Sequence, residues 1–347
     1  MKKLIAKNKW VIAFMALSIL TSCAKGCKKE GAKTGTGSQA DALDMVPANN
    51  NLLISLNVKK LSTLPLYADM TKDAPAEVKE LAQNVNDALI AVSVRNPSEA
   101  PSGLAIVSGN FDEKKVVGIL EESAKKQGLG EVKRESVEGK TLYISPKDPN
   151  IGMIFVGTNQ AMWGQIPTLK EALNLAAKKG GQSIRTNKEL MDLFSKRDPQ
   201  KLLWGSALLP QNATPPAQPG DPLASLQSLK AFTLGLDYNK DLAIDWTGYA
   251  ADAPQAQNIL NLINSYKTIF GASIASQEPM WGQVIQSAQI TSQDKSISIG
   301  LKLSEELLKQ ISQKVAVKKE SAGALPPESM GAPMPPPAPV AATQPAQ

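Results

Sequence analysis

One stretch limits the folds open to this chain more than any other. Phe232, Leu234, Leu236 and Tyr238 alternate with small or polar residues, the turn formers Asn239-Lys240-Asp241 follow, and Leu242, Ile244 and Trp246 resume the alternation. A period of two on both sides of a tight turn is the pattern of a β-hairpin with one buried face. The fold must therefore contain antiparallel sheet. A second hairpin is expected from Val137 to Ser145 and Gly152 to Gly157, on either side of Pro-Lys-Asp-Pro-Asn. Ile297, Ile299, Leu301 and Leu303 keep the same period against Ser296, Ser298, Gly300 and Lys302. Leu52 to Val58, Gly103 to Gly109 and Leu202 to Leu209 are short apolar runs suited to buried strands.

Helical spacing fills the intervals. Val78, Leu81, Ala82, Val85, Ala88 and Leu89 recur at three and four behind Pro75, and Asp112 precedes Val116, Val117 and Leu120. Thr168 with Glu171 reads as a capping box before Leu169, Ala172, Leu173 and Ala176. Pro254 opens a helix through Ala256, Ile259, Leu260, Ile263 and Phe270, and Ser304 caps Leu307, Leu308, Ile311 and Val315. Helices alternating with hairpins give the α+β class, with antiparallel sheets and helices packed on one face. Gly103 to Glu121 and Ser298 to Gln310 both run strand, acidic cap, helix, which suggests two related modules. The tetrapeptide Met162-Trp163-Gly164-Gln165 recurs as Met280-Trp281-Gly282-Gln283, in different flanks.

The amino terminus carries an address. Lys2, Lys3, Lys7 and Lys9 form a basic region, Trp10 to Leu20 is an apolar run, and Leu20-Thr21-Ser22-Cys23 follows. A basic start with an apolar run this short is a secretion signal rather than a membrane span, which needs about 20 apolar residues. Leu20-Thr21-Ser22-Cys23 resembles the bacterial lipobox, and the resemblance implies acylation of Cys23 as the new first residue of a lipoprotein. An ordinary signal peptide or an uncleaved anchor are the other readings. Three acyl chains exceed the two signals needed for durable attachment. Ala24, where an aspartate retains many lipoproteins in the inner membrane, implies the outer membrane, on its periplasmic face or at the cell surface. Cys27 is the remaining thiol and follows a poor lipobox, Ala24-Lys25-Gly26.

The expected organisation is then a signal peptide at 1–22, a flexible lipidated tether at 23–40, an α+β module at 41–210, a Pro-rich linker at 211–224, a smaller α+β module at 225–319 and a disordered Pro/Ala-rich tail at 320–347. It is similar to an uncharacterised group of bacterial outer-membrane lipoproteins whose mature part opens with a segment like Val46-Pro47-Ala48-Asn49 leading into a strand. That group brings no activity with it.

The formal charge of +6 belongs mostly to the ends of this plan. Removing 1–22 leaves 34 basic against 32 acidic residues, and from Thr34 onward the count is 30 against 31. A nearly neutral body argues against a nucleic-acid partner, whose binders gather Lys and Arg on one face. Lys25, Lys28, Lys29 and Lys33 would instead lie beside anionic headgroups.

Catalytic signals are sparse. The chain has no histidine, which excludes Ser-His-Asp and Cys-His catalysis and removes the commonest zinc ligand. No calcium loop or phosphate-cradling glycine loop is present; Lys178-Lys179-Gly180-Gly181 reads as a helix C-cap. Asp237, Asp241, Asp245 and Asp252 could in principle supply the two carboxylates of a hydrolase, but they fall out of phase with the apolar set and read as a solvated face. Trp163, Trp204, Trp246 and Trp281 sit among apolar neighbours and read as core rather than as a sugar platform. The expectation is a chain with no catalytic residues, metal or cofactor, held to the membrane at Cys23 and binding an envelope or host protein. A surface adhesin and, more remotely, a carboxylate hydrolase are the competing functions.

Overall fold

A computed structural model describes residues 39–311, apart from 65–66, 68–70, 72–73, 75, 95–99 and 211–223. The signal peptide, Cys23, Cys27, nearly all of the tether and linker, and the tail lie outside the described residues. The chain divides into Met1–Glu305 and Glu306–Gln347, and all the elements below belong to the first unit.

Helix α1 (Gln39–Met45) leads into β1 (Leu52–Asn57), the single turn α2 (Val58–Leu61), α3 (Ala76–Gln83), β2 (Val85–Ser93) and β3 (Ser102–Gly109). Then come α4 (Glu113–Lys126), β4 (Lys133–Val137), β5 (Lys140–Ile144), β6 (Ile151–Phe155), β7 (Gln160–Gln165), α5 (Ile166–Ala176), α6 (Lys188–Ser195) and β8 (Leu203–Leu208). The chain continues through β9 (Leu229–Asn239), β10 (Asp241–Ala250), α7 (Ala253–Gln277), α8 (Pro279–Ser287), β11 (Gln289–Gln293) and β12 (Ser296–Leu303).

The 12 strands of the described residues form one sheet in the order β11-β12-β10-β9-β8-β1-β2-β3-β7-β6-β5-β4, and every neighbouring pair is antiparallel. The α+β class and the expected hairpins are present. The two expected modules share this sheet, because β8 and β9, on either side of the Pro-rich segment, pair directly from Leu203↔Leu236 to Leu208↔Ala231. The order also has an internal echo. β1-β2-β3, a helix, and a return that places β7 beside β3 is matched by β8-β9-β10, helices, and a return that places β12 beside β10. The two halves meet at the antiparallel pair β1·β8.

Helices cover both faces rather than one. Leu53, Leu89, Leu104, Ile106, Ile154 and Met162 are buried on one face beneath α1, α5 and α6, which contribute Leu43, Leu169, Leu173, Leu190 and Phe194. Each such fully buried aliphatic side chain stabilises the fold by about 2 kcal/mol relative to exposure. Tyr143, Met153, Phe155 and Ala161 point to the opposite face and meet Val117 and Leu120 of α4. At the other end Ile259 and Ala256 of α7 pack on Ile297 and Ala250.

Side-chain caps set several helix starts. Asp112 accepts from the Lys115 N–H at 3.2 Å, while Lys125 and Lys126 complement the dipole at the far end of α4. Asn187 caps α6 and Asp252 caps α7 in the same manner. Two expectations need correction. The helix expected through Leu89 stops at Gln83, and Val85, Ala88 and Leu89 lie in β2, where the run to Ser93 pairs with β1 and β3 on both sides. Helix α5 begins before Thr168, with Gln165 at the N-cap and Pro167 in the first turn, so Thr168 caps nothing. At its other end the left-handed position is taken by Lys178, φ 55°, ahead of the glycines.

The segment before β1 is held tightly. Ala48 N–H donates to Gln182 at 2.9 Å, Ile184 N–H donates to Val46 at 2.7 Å, and Pro47 bridges Ser183. The Asn51 side chain donates to Leu208 O at 2.9 Å and accepts from Val94 N–H at 2.8 Å, so it joins the ends of β8 and β2 across β1.

Candidate functional site

The four acids singled out by sequence do not converge. Asp237 is paired with Lys60, Asp245 with Lys201, and Asp241 with Lys302 at 3.0 Å. Asp252 accepts from the Gln255 N–H at 2.9 Å as the cap of α7. Burial alone would raise the Asp237 carboxyl. The bonds from Lys60 and from the Tyr238 and Leu202 backbone outweigh it and hold the group below its ordinary value. Each acid thus has a structural occupation, three of them neutralised by lysines on partly exposed strand positions and the fourth as a helix cap. Among the described residues no group of three or more acids or cysteines is placed to hold a metal ion.

The tryptophans divide. Trp163 packs against the Tyr143–Phe155 cluster and Trp204 against the main core, with Lys201 Nζ 5.7 Å from its ring centroid. Trp246 is half-buried on the sheet, whereas Trp281 on α8 is 38% exposed. It belongs with Ile269 at 64% and Phe270 at 48% on the α7–α8 hairpin, where Phe270 stacks on Tyr266 with ring centroids 5.4 Å apart. The core expectation fails for Trp281. Gly282 beside it explains the local geometry: a Cβ there would stand 2.5 Å from Ala275 Cβ, so glycine lets the two helices close up. From Thr268 to Gln293 the only charged residue is Glu278.

A cleft of about 50 Å³ lies between α4 and the sheet, lined chiefly by Leu120, Leu129, Val132, Tyr143, Met153 and Trp163. It is far smaller than the roughly 300 Å³ at which small-molecule sites begin. Tyr143 Oη donates to Glu113 Oε1 at 2.7 Å, and burial followed by that bond holds the phenol above its ordinary value. This cleft is a packing feature of α4 on β5 and β6.

Register reveals what the sequence reading missed. Ser206, Thr233, Thr247, Ser298 and Thr291 face one another across β8, β9, β10, β12 and β11. They form a single row of hydroxyls, with Thr247 Oγ1 and Ser298 Oγ 3.1 Å apart. Ser206 and Thr233 are buried, and exposure grows toward Thr291 at the sheet edge. The signal was present in the alternation itself, since these hydroxyls are the residues out of phase with the apolar set; only the pairing aligns them.

The edges differ. β4 presents Lys133, Arg134 and Glu135, whereas β11, Gln-Ile-Thr-Ser-Gln, has no charge and no proline. Charged edges repel a further strand and uncharged ones do not.

The class defined by these features is an α+β protein on one antiparallel sheet, with an uncharged edge beside a helical hairpin whose only charges are Lys267 and Glu278. No family model matches the chain, and no curated protein matches its sequence. Solved structures similar to it include crystal forms III, I and IV of TP0453, with TM-scores of 0.47, 0.44 and 0.43 at 12, 13 and 12% identity. Each likeness covers 78% of this chain and 97, 96 and 96% of the respective structure. Among the described residues no helix is long and apolar enough to cross a membrane, which says nothing of strands.

Proposed function

We propose that the chain is a bacterial lipoprotein, tri-acylated at Cys23 and anchored in the outer membrane, whose α+β body is a non-catalytic binding or structural module of the cell envelope. The observation that carries the reading is Leu20-Thr21-Ser22-Cys23 directly after a basic region and a short apolar run. Ala24 supports the outer membrane as the destination. The binding role draws support from the body itself: its sequence-conspicuous acids are occupied by lysines and a helix cap, while the segment from Thr268 to Gln293 offers contact surface with a single charge. Metabolic labelling with a clickable palmitate analogue tests the anchor. Label and membrane retention are expected in the native chain and lost in Cys23→Ala; undiminished label in that variant would overturn the proposal.

A further inference from the structure

We infer that two copies of this chain associate through β11, strand against antiparallel strand, about a two-fold axis at Thr291. Three independent features of the edge lead there. The first is the direction of its backbone groups. Gln293 and Ser296 flank the two-residue turn Asp294-Lys295, so this pair exchanges both of its bonds, as do Thr291 with Ser298 and Gln289 with Gly300. Ile290 and Ser292 consequently turn their N–H and C=O groups away from β12, at the outer edge of the sheet. A second β11 placed antiparallel about Thr291 sets Ile290 opposite the other copy's Ser292, and Ser292 opposite its Ile290. All four outward groups of each copy are then bonded.

The second feature is the hydroxyl row, which runs from Ser206 through Thr233, Thr247 and Ser298 and ends at Thr291, the residue on the proposed axis. Across that axis Thr291 meets its own counterpart, and the row continues unbroken into the second copy. Cross-strand Thr–Thr and Thr–Ser neighbours are favourable pairs, each contributing about 0.2 to 1 kcal/mol. The third feature is charge. β11 against itself brings no like charges together, whereas β4, with Lys133, Arg134 and Glu135 in five residues, is guarded. The molecule already joins its two topologically similar halves by an antiparallel edge pair, β1·β8, and the inference repeats that construction between chains. A five-residue strand buries less than the roughly 800 Å² per partner of a standard stable complex, so the expected association is a weak one, sought in the micromolar range. It stands whether or not Cys23 is acylated.

The test uses the detergent-solubilised full chain carrying Cys23→Ser and Cys27→Ser, so that the introduced cysteine is the only thiol. At a non-hydrogen-bonded antiparallel pair the two Cα atoms lie about 4.5 Å apart, within disulfide range. Under mild oxidation Thr291→Cys is expected to give a disulfide-linked dimer. Gln289→Cys, whose counterpart would lie about 13 Å away, is not. Equal cross-linking of both variants, or of neither, overturns the inference. Sedimentation equilibrium supplies a reading without oxidation. The parent is expected to dimerise across the micromolar range, Thr291→Lys to lose the dimer with an unchanged far-ultraviolet spectrum, and an equimolar mixture of Thr291→Lys with Thr291→Glu to regain it. A parent that sediments as a monomer throughout, or a Thr291→Lys variant that dimerises like the parent, overturns it equally.

Discussion

Asp237 and Asp87 respond to acid in opposite directions because their surroundings differ. Asp237 is held below its ordinary value by Lys60 and backbone donors against the opposing effect of burial. Its stabilisation is therefore fully present above the ordinary carboxylate value of about 3.9 and is lost as pH falls through the lower, folded value. Asp87 on β2 is raised by burial, which outweighs the attraction of Arg197 and Lys59. Its charge opposes folding at neutral pH, and that opposition disappears as pH falls through the raised value. Lys60→Met, which keeps an apolar stem but removes the pair, is expected to lower stability by about 1 kcal/mol at pH 7. Asp87→Asn is expected to raise it slightly. Urea midpoints at pH 7 and pH 3 check both, since each difference should shrink in acid; a pH-independent difference would show that packing rather than charge is responsible.

At the scale of elements, two glycines on helices should behave oppositely when given the same methyl group. A Cβ at Gly282 would lie 2.5 Å from Ala275 Cβ, so Gly282→Ala forces α7 and α8 apart and is expected to cost about 1 to 3 kcal/mol. Gly118 on α4 has nothing within 4 Å of its would-be Cβ, and Gly118→Ala is expected to stabilise by about 0.5 to 1 kcal/mol. Thermal melts of the two variants separate crowding from propensity. Gly282 also shows where sequence ceases to specify structure. Met-Trp-Gly-Gln is strand β7 at Met162 to Gln165, between β3 and β6, and helix α8 at Met280 to Gln283, against α7. Four residues without charge or proline take the form their neighbours impose. Val85 to Leu89 illustrates the same override, with helical spacing but strand partners on both sides. The hairpins at 140–155 and 229–250 and the cap at Asp112 were legible because their signals are local. The hydroxyl row and the contrast between edges were not, because they exist only after distant strands are placed in register.

Over the whole molecule the β1·β8 pair is the place where the halves depend on each other. Leu53 on β1 is fully buried, with Ala91 on one side and Ser206 on the other. Leu53→Ala is expected to cost about 2 to 5 kcal/mol and to act on both halves. Amide exchange should show β2 and β3 losing protection together with β8 and β9. A loss confined to one side would show that the halves unfold separately despite the shared sheet.

That central position of β1 has a consequence for the order in which the molecule can be made. The strand lies early in the chain, and β2, its first neighbour, follows soon after. The bond from Asn51 to Leu208 joins residues 157 positions apart, so the second neighbour arrives only when most of the chain exists. During that interval β1, with Leu52-Leu53-Ile54-Ser55-Leu56 and no charge, has one bare side. A chain that folds in order from its amino terminus would thus have its own middle as an edge, open to any passing strand until β8 closes it.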